Sequence, residues 1–170
     1  MLTHEYLQEI LHYVESTGNF HWKKRLSIRV SVGAIAGHVS KVSGYVEIRI
    51  HGKLYRGHEL AWFYKTGEHS KFVDHRNGIR HDNSWGNLRA STQAENNRNK
   101  NMHSNNTSGY KGVSWSNRRS KYIAGITYDH KYIYIGQFEC AKDAAIAYDE
   151  MAITLFGEFA RTNKSMGLLE

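Results

Sequence analysis

The chain has 170 residues, with 23 Lys and Arg against 16 Asp and Glu, so its formal net charge is +7. A chain of this length buries one moderate core or two small ones, and we predict two small modules. The basic balance favours an anionic partner, first of all nucleic acid. The single cysteine, Cys140, excludes an internal disulfide and a cysteine-rich zinc cluster, so any metal must have oxygen and nitrogen ligands.

The sequence also argues against a membrane protein. No stretch approaches the roughly 18 apolar residues of a membrane-spanning helix. Residues 1–25 include acidic and histidine side chains where a signal peptide would be apolar. We therefore expect a soluble cytoplasmic protein.

The first part of the chain alternates helix and strand patterns. Apolar residues at helical spacing predict a short amphipathic helix over 3–14, before the turn STGN. Residues 45–56 alternate apolar and polar side chains on both sides of a turn at His51 and Gly52, which predicts a β-hairpin. Residues 58–67 predict a short helix closed by its terminal glycine.

The segment 71–99 carries the most specific pattern. FVDH is a predicted strand, a loop rich in Asn, Asp, Arg and Gly follows, and NLRAS is a second predicted strand. TQAENNRN then predicts a helix with Thr92 as its N-cap. In this order of elements the end of the first strand faces the start of the helix. We therefore expect Asp74, His75 and Asn96 to converge.

The run HELAWFYKTGEHSKFVDHRNGIRHDNSWGNLRASTQAENNRN resembles the HNH endonuclease family, particularly the phage and intron-associated homing type with a ββα-metal site. The matching features are Asp74 with His75, the Asn-Gly and Asp-Asn pairs of the loop, the triplet that begins at Asn87, and Asn96. The resemblance implies a DNA endonuclease in a bacterial or phage-infected cell. It also implies that Asn87 holds the loop and helps to orient the His75 ring.

Phosphodiester hydrolysis needs a base for the attacking water and an electrophile for the charge that grows on the phosphate and the leaving oxygen. We predict that His75 is the general base and that Asp74 and Asn96 are oxygen ligands of Mg²⁺ or Mn²⁺. An isolated Asp-His pair is more often only a polar turn, but Asn87 and the order of elements favour a catalytic site. His58 fits a polar helix start and an active-site role equally well.

The C-terminal part is predicted as a separate module. Residues 100–109 form a predicted linker, because this stretch has many polar and almost no apolar residues; it is flexible or lies along DNA. Three strands, at about 112–115, 122–128 and 132–137, are predicted to pack as a sheet on a helix over 141–156.

The same module resembles the APETALA-type, or ethylene-response-factor-like, DNA-binding domain of plants, which also occurs in phage and bacterial endonucleases. YKGV, the aromatic strand before IGQF, and DAAIAYDEMAITLFGEFARTN carry the resemblance. The strands are basic and the helix is acidic, so the sheet is the side expected to meet phosphate. Serine, threonine and tyrosine stand where the plant family has arginines that read guanine, so we expect a different target. The predicted DNA contacts are Lys111, Ser114, Trp115, Arg118, Arg119, Lys121, Thr127, Tyr132 and Tyr134.

These features together predict an α+β protein. Its N-terminal HNH ββα-metal nuclease module spans 1–99, with a core at about 71–99; a three-stranded antiparallel sheet packed on one helix spans 110–164. We expect a metal-dependent homing endonuclease that binds double-stranded DNA and nicks it as a monomer. A non-catalytic, sequence-specific DNA-binding regulator is the main alternative, and a structural RNA-binding protein is a third. Neither alternative gives the predicted nuclease residues a role.

Overall fold

The computed structural model describes residues 2–70, 72–103 and 105–170. The chain forms two compact units, Met1–Thr92 and Gln93–Glu170. Helices and strands are mixed in both units, so the predicted α+β class is confirmed. The division lies at 92 rather than at the predicted 99, because the helix that follows Thr92 groups with the second unit.

The described residues of the first unit form two α-helices and three small antiparallel sheets. Their elements are α1 (His4–Ile10), β1 (Leu11–Val14), β2 (Asn19–Trp22), β3 (His38–Val39), β4 (Val46–Ile50), β5 (Lys53–Arg56), α2 (Gly57–Thr66), β6 (Val73–His75) and β7 (Leu88–Ala90). The sheets pair β1 with β2, β3 with β4 and β5, and β6 with β7. No described helix is both long enough and apolar enough to span a membrane.

The N-terminal helix is shorter than the sequence predicted. The Thr3 hydroxyl accepts a hydrogen bond from the backbone N–H of Tyr6, which caps the first turn. The helix ends at Ile10, and Leu11 begins a strand in which Leu11 and Tyr13 are buried and the residue between them is exposed. The apolar spacing fits a helix as far as Ile10, but the burial beyond it follows the two-residue period of a strand.

The predicted hairpin and second helix are present. β4 pairs with β5 in antiparallel register, and His51 and Gly52 form the turn with φ of 46° and 80°. Positive φ at both turn positions matches the twist of a tight two-residue hairpin. α2 ends at Gly67, which has a φ of 72° and so closes the helix in the left-handed region.

The core of the first unit anchors the strands β6 and β7. Val73 of β6 and Leu88 of β7 belong to the same cluster of buried apolar residues as Leu60, Ala61 and Phe63 of α2. The remaining buried members are Leu7, Ile10, Leu11, Tyr13, Phe20, Trp22, Ala36, Ile48 and Ile50. The core therefore fixes the two short strands whose polar residues are described below.

The second unit consists of α3 (Gln93–Arg98), β8 (Val113–Ser116), β9 (Lys121–Tyr128), β10 (Lys131–Phe138) and α4 (Ala141–Phe156). The strand order is β10-β9-β8, all antiparallel, with an irregularity between Tyr134 and Gly136. The sheet packs on α4 through Val113, Ala124 and Ile126 against small residues of the helix. The predicted sheet and helix are therefore present, with strand ends within one or two residues of the prediction.

A buried polar network ties the C-terminal tail to the sheet. The Asp149 carboxylate accepts hydrogen bonds from the backbone N–H of Asn163 at 2.7 Å and of Lys164 at 2.9 Å. The Asn163 side chain in turn bonds both the N–H and the carbonyl of Lys111. Asn163 is completely buried, so its hydrogen bonds replace those that water would otherwise make.

The start of the predicted linker is held by the second unit. Nζ of Lys111 donates to the carbonyl oxygens of Arg98, Lys100 and Arg161 at 2.7 to 3.2 Å. Nε of Arg161 also donates to Oδ1 of Asn101 at 3.0 Å. Residues 98–101 are therefore tied to the sheet module, which the polar composition of the segment did not predict.

Candidate active site

Strands β6 and β7 place two buried polar residues side by side. Asp74 pairs with Arg89, and His75 pairs with Leu88, in the antiparallel register of the two strands. Asp74 and His75 are 4% and 5% exposed. Because adjacent residues of a strand point to opposite faces, the carboxylate and the imidazole have different surroundings.

Asp74 forms a buried ion pair with Arg89. Nε and Nη2 of Arg89 donate to Oδ2 of Asp74 at 2.9 and 2.8 Å. An uncompensated charge in this position would be costly, and the guanidinium compensates the carboxylate and fixes its orientation. The sequence analysis names Arg89 only as part of the family pattern and predicts no contact for it. Arg89 reaches Asp74 because the two residues lie opposite each other in the strand pair.

Asn83 fixes the ring of His75. Nε2 of His75 lies 3.1 Å from Oδ1 of Asn83. An amide oxygen only accepts hydrogen bonds, so Nε2 carries the proton in the neutral ring and Nδ1 has the lone pair. Burial lowers the pKa of His75, although the bond to Asn83 and the carboxylates of Asp74 and Asp82 oppose this effect. The ring is therefore uncharged at neutral pH.

The backbone around Asn83 is packed closely enough to fix its side chain. The Tyr13 hydroxyl donates to the carbonyl of Asn83 at 2.6 Å. A Cβ at Gly18 would lie 2.2 Å from the carbonyl carbon of Asn83, and a Cβ at Gly57 would lie 2.6 Å from its Nδ2. Both positions thus require glycine. Asn83 was not among the predicted site residues, and its only signal was the Asp-Asn pair of the loop.

Asn87 holds the loop that carries Asn83. Its Oδ1 accepts from the backbone N–H of Asn77 at 3.0 Å, and its Nδ2 donates to the carbonyl of Asp82 at 2.7 Å. Asp82 also accepts hydrogen bonds from Asn77 and Ser84, which closes the loop on itself. This arrangement agrees with the loop-holding role implied for Asn87, while the hydrogen bond to the His75 ring comes from Asn83.

A second buried histidine lies beside His75. The ring centroids of His58 and His75 are 4.9 Å apart with an interplanar angle of 67°, and the Tyr45 ring is 4.9 Å from His58. Burial, together with the nearby His75 and Arg56, lowers the pKa of His58 to about 3, so this ring is uncharged. Its Nδ1 is buried and has no hydrogen-bond partner among the described residues.

Two arginines lie over the Tyr45 ring, which packs against His58 in this cluster. The guanidinium groups of Arg56 and Arg80 are 5.0 and 5.2 Å from the centroid of the Tyr45 ring. Nη1 of Arg80 also donates to the carbonyl of Ser43 at 2.9 Å. These cations give the first unit a positive surface near the buried histidines, and no pattern in the sequence pointed to them.

The predicted metal ligands are of a kind that suits a hard divalent cation. Among the described residues there is no group of three or more His, Cys, Asp or Glu that could hold a metal. The predicted ligands are instead one carboxylate, Asp74, and one amide, Asn96, and oxygen donors of this kind suit Mg²⁺ and Mn²⁺. Asn96 is half-buried on α3 in the second unit. Its role as a ligand stays a prediction.

The outer face of the second unit's sheet is polar and aromatic. Thr127 pairs with Tyr132, and Tyr134 pairs with Gly125, on the side opposite the residues that pack on α4. Tyr132 is 64% exposed, and its ring lies over Gly125, where a Cβ would be 2.0 Å from the hydroxyl. Nη1 of Arg119 donates to the Tyr134 hydroxyl at 3.3 Å. Ser114 and Arg118 are also exposed.

Three of the predicted DNA contacts have internal partners. Lys111 is tied to backbone carbonyls, as described above, and burial lowers its pKa to about 8. Lys121 forms an ion pair with Glu139 at 2.7 Å. Trp115 pairs with Tyr122 and lies on the same side of the sheet as Val113, which faces α4. Lys111 and Trp115 are thus not part of the outer face. Lys121 lies on the same side of β9 as Thr127, and Glu139 pairs with its ammonium group.

Comparison with known proteins supports a function for the site around Asp74 and His75. Residues 55–98 match the family model described as HNH endonuclease. No curated protein shows significant similarity to the chain. The matched segment contains Asp74, His75, Asn83 and Asn87, and endonucleases of this family generally depend on a divalent metal ion. The segment 55–98 is therefore similar to HNH endonucleases, which supports a nuclease that acts on DNA.

Proposed function

We propose that the chain is a metal-dependent DNA endonuclease of the homing type, in which His75 is the general base. The main support for this proposal is the hydrogen bond between His75 and Asn83. Nε2 of His75 is bound to Oδ1 of Asn83 at 3.1 Å, which puts the lone pair of the neutral ring on Nδ1. This buried, uncharged imidazole lies in the segment that matches HNH endonucleases.

Phosphodiester hydrolysis begins when a water molecule attacks phosphorus and loses a proton. Nδ1 of His75 accepts that proton in the proposed reaction, and the Nε2–H bond to Asn83 keeps the ring in place while its charge changes. Burial lowers the pKa of His75, which keeps the ring uncharged before the reaction. A general base acts only in its unprotonated form, so this environment suits the role.

Asp74 and Asn96 are the proposed ligands of Mg²⁺ or Mn²⁺. A bound divalent cation would stabilise the negative charge that grows on the phosphate and the leaving oxygen. Arg89 holds the Asp74 carboxylate through Oδ2, which fixes the orientation of the carboxylate. The role of Asn96 rests on its place in the family pattern.

The second unit is the proposed DNA-binding module. Its outer sheet face offers Arg118, Arg119, Thr127, Tyr132 and Tyr134 to double-stranded DNA, whereas α4 covers the other face. Arginines bind phosphate, and the hydroxyl and ring groups meet base edges or sugars. With one proposed site per chain, a monomer cuts one strand. We place this activity in the cytoplasm of a bacterial or phage-infected cell.

Nicking of supercoiled plasmid tests this proposal. The purified protein is incubated with plasmid and Mg²⁺, with Mn²⁺, or with EDTA, and the products are separated on a gel. Open-circular product with either metal, and none with EDTA, supports the endonuclease. If the protein retards DNA but leaves it uncut with both metals, the non-catalytic regulator is the better assignment.

A further inference from the structure

His58 is a buried imidazole to which the proposed reaction gives no role. It lies in the first turn of α2 and is 4% exposed. Its Nδ1 has no hydrogen-bond partner among the residues that the structure describes. A buried polar group without a partner lowers stability, and an apolar side chain in its place would not. The presence of an imidazole at this position therefore requires a reason other than stability.

The ring of His58 packs against the proposed general base. It meets the His75 ring at a centroid distance of 4.9 Å and an interplanar angle of 67°, an edge-to-face contact. Tyr45 contacts both rings, at 4.9 Å from His58 and 5.9 Å from His75. The three rings thus form one cluster, in which a change in one ring affects the space open to the others.

His58 itself is held firmly by the helix that carries it. Leu60, Ala61 and Phe63, which follow it on α2, are all buried in the core of the first unit. Gly57, directly before it, packs against Asn83 and Val46. A Cβ added at Gly57 would lie 2.6 Å from Nδ2 of Asn83 and 3.0 Å from Cβ of Val46. The start of α2 thus has little freedom to move, so the ring of His58 offers His75 a fixed surface.

The charge state of His58 suits a ring that supports a base without competing with it. Because burial lowers its pKa to about 3, the ring stays uncharged at neutral pH and is a poor proton acceptor. It therefore does not oppose the positive charge that His75 gains in the proposed reaction as a second imidazolium would. It also does not take the proton in place of His75.

We propose that His58 is a positioning residue for His75: its ring holds the His75 ring in the orientation in which Nε2 donates to Asn83. This inference rests on the proposed function, because its catalytic effect passes through His75 as general base. Asn83 fixes one edge of the His75 ring by a hydrogen bond, and His58 restrains its rotation by contact. Removal of either one gives the ring alternative orientations.

Nitrogen NMR of the histidine side chains tests the proposal directly. The ¹⁵N shifts of His75, identified by their absence in His75→Ala, report which ring nitrogen carries the proton. We compare the wild-type protein with His58→Ala, which removes the ring, and His58→Asn, whose amide takes the place of Nδ1. His69→Ala is the matched control, since it removes an exposed imidazole stacked on Phe63 at 3.9 Å.

The wild-type protein and His69→Ala should show His75 as a single tautomer with the proton on Nε2. His58→Ala should show averaged nitrogen shifts and about tenfold or more slower nicking, at unchanged DNA affinity, as expected when a supporting partner is removed. His58→Asn should recover part of the single-tautomer signal of His75 and part of the nicking rate. If His58→Ala keeps the single tautomer and the wild-type rate, the proposal is wrong.

Two further outcomes keep this inference separate from the proposed function. If the wild-type protein does not nick DNA, the proposed function fails, whereas the tautomer comparison still decides whether His58 orients His75. If His58→Ala does not fold, the decision passes to His58→Asn and His58→Gln. His75 signals equal to those of the wild-type protein in both of these variants would overturn the inference.

Discussion

Nε2 of His75 donates a hydrogen bond to Oδ1 of Asn83 over 3.1 Å, and both side chains are buried. Asn83→Leu removes the acceptor while it keeps a similar volume, so the His75 ring loses its fixed tautomer. We expect cleavage to slow by about 10- to 100-fold, the usual effect of removing a partner that orients a functional histidine. Single-turnover rates on plasmid DNA measure this effect. An Asn83→Leu protein that folds and cuts at the wild-type rate would show that the bond has no catalytic role.

The buried pair of Arg89 and Asp74 predicts a large loss of stability on truncation. Arg89→Met leaves the Asp74 carboxylate buried without its arginine partner, and we expect a destabilisation of about 3–5 kcal/mol. Lys24→Met is the matched control, because its pair with Glu9 is about half-exposed and contributes only about 0–1 kcal/mol. Urea unfolding of the full chain measures both values. Equal midpoints for the two variants would contradict the structural role of the Arg89 pair.

The low pKa of His58 predicts acid sensitivity of the first unit. The folded state resists protonation of His58 down to about pH 3, whereas the unfolded chain binds the proton near pH 6.5. The unfolded state therefore holds more protons between these values, and stability falls as the pH falls through this window. The largest slope from one such group is about 1.4 kcal/mol per pH unit.

His58→Asn has no titratable side chain at position 58, so its unfolding midpoint in urea should vary less between pH 6.5 and pH 4 than that of the wild-type protein. His75 has a lowered pKa as well and keeps part of the effect in the variant. His81→Asn, which changes an exposed histidine of the loop, is the control. The same pH dependence in all three proteins would contradict the burial of an uncharged His58.

Contacts of α3 within the second unit predict the result of truncation at Lys100. The guanidinium of Arg98 lies 5.7 Å from the Tyr128 ring and 5.2 Å from the Phe156 ring, and Lys111 bonds its carbonyl. A chain that ends at Lys100 loses these partners, and an isolated helix of this length is not stable.

If Asn96 is a metal ligand, as proposed, the truncated chain should therefore remain folded through residue 92 but cut DNA poorly even at high concentration. Circular dichroism and plasmid nicking measure the two effects. Lys111→Met in the full chain should also reduce plasmid nicking, but by less than the truncation does. Lys131→Met, which changes an exposed lysine of β10, is the control. Undiminished cleavage by the truncated chain would exclude a need for the second unit.

The outer sheet face predicts how DNA binding depends on salt. Removal of one phosphate-binding side chain lowers the slope of log K against log salt by about 0.9, so Arg118→Ala with Arg119→Ala should flatten the dependence. Tyr132→Ala should instead narrow the difference between preferred and random DNA at nearly the same slope. Lys142→Ala, on the exposed side of α4, is the control. If the control weakens binding more than the arginine variants do, DNA binds a different surface.

The parts of the fold that the sequence predicted are those with a local signal. The hairpin at His51 and Gly52, the end of α2 at Gly67 and the strands around His75 each follow from turn residues and from short-range periodicity. The spacing of Leu11 from Leu7 predicts a helix at Leu11. Leu11 instead forms a strand, because it pairs with Trp22 of β2, a contact that local spacing does not reveal.

The polar contacts of the site depend on long-range packing and could not be predicted in the same way. Asn83 reaches His75 because Gly18 and Gly57, from distant parts of the chain, leave space for it. His58 meets His75 through the packing of α2, and a polar residue at a helix start gives no sign of such a contact. Lys111 was predicted to contact DNA from its charge alone, which does not reveal the carbonyls that bind it.

The single-turnover nicking rate of His75→Ala tests the central claim most directly. Supercoiled plasmid is held at saturating protein with Mg²⁺, and the variant is compared with the wild-type protein and with His81→Ala, which lacks an exposed histidine of the same loop. Loss of a general base should slow His75→Ala by about 10²- to 10⁴-fold at unchanged DNA affinity, while His81→Ala keeps the wild-type rate. Equal rates for a folded His75→Ala protein and the wild-type protein would contradict the assignment of His75 as the general base.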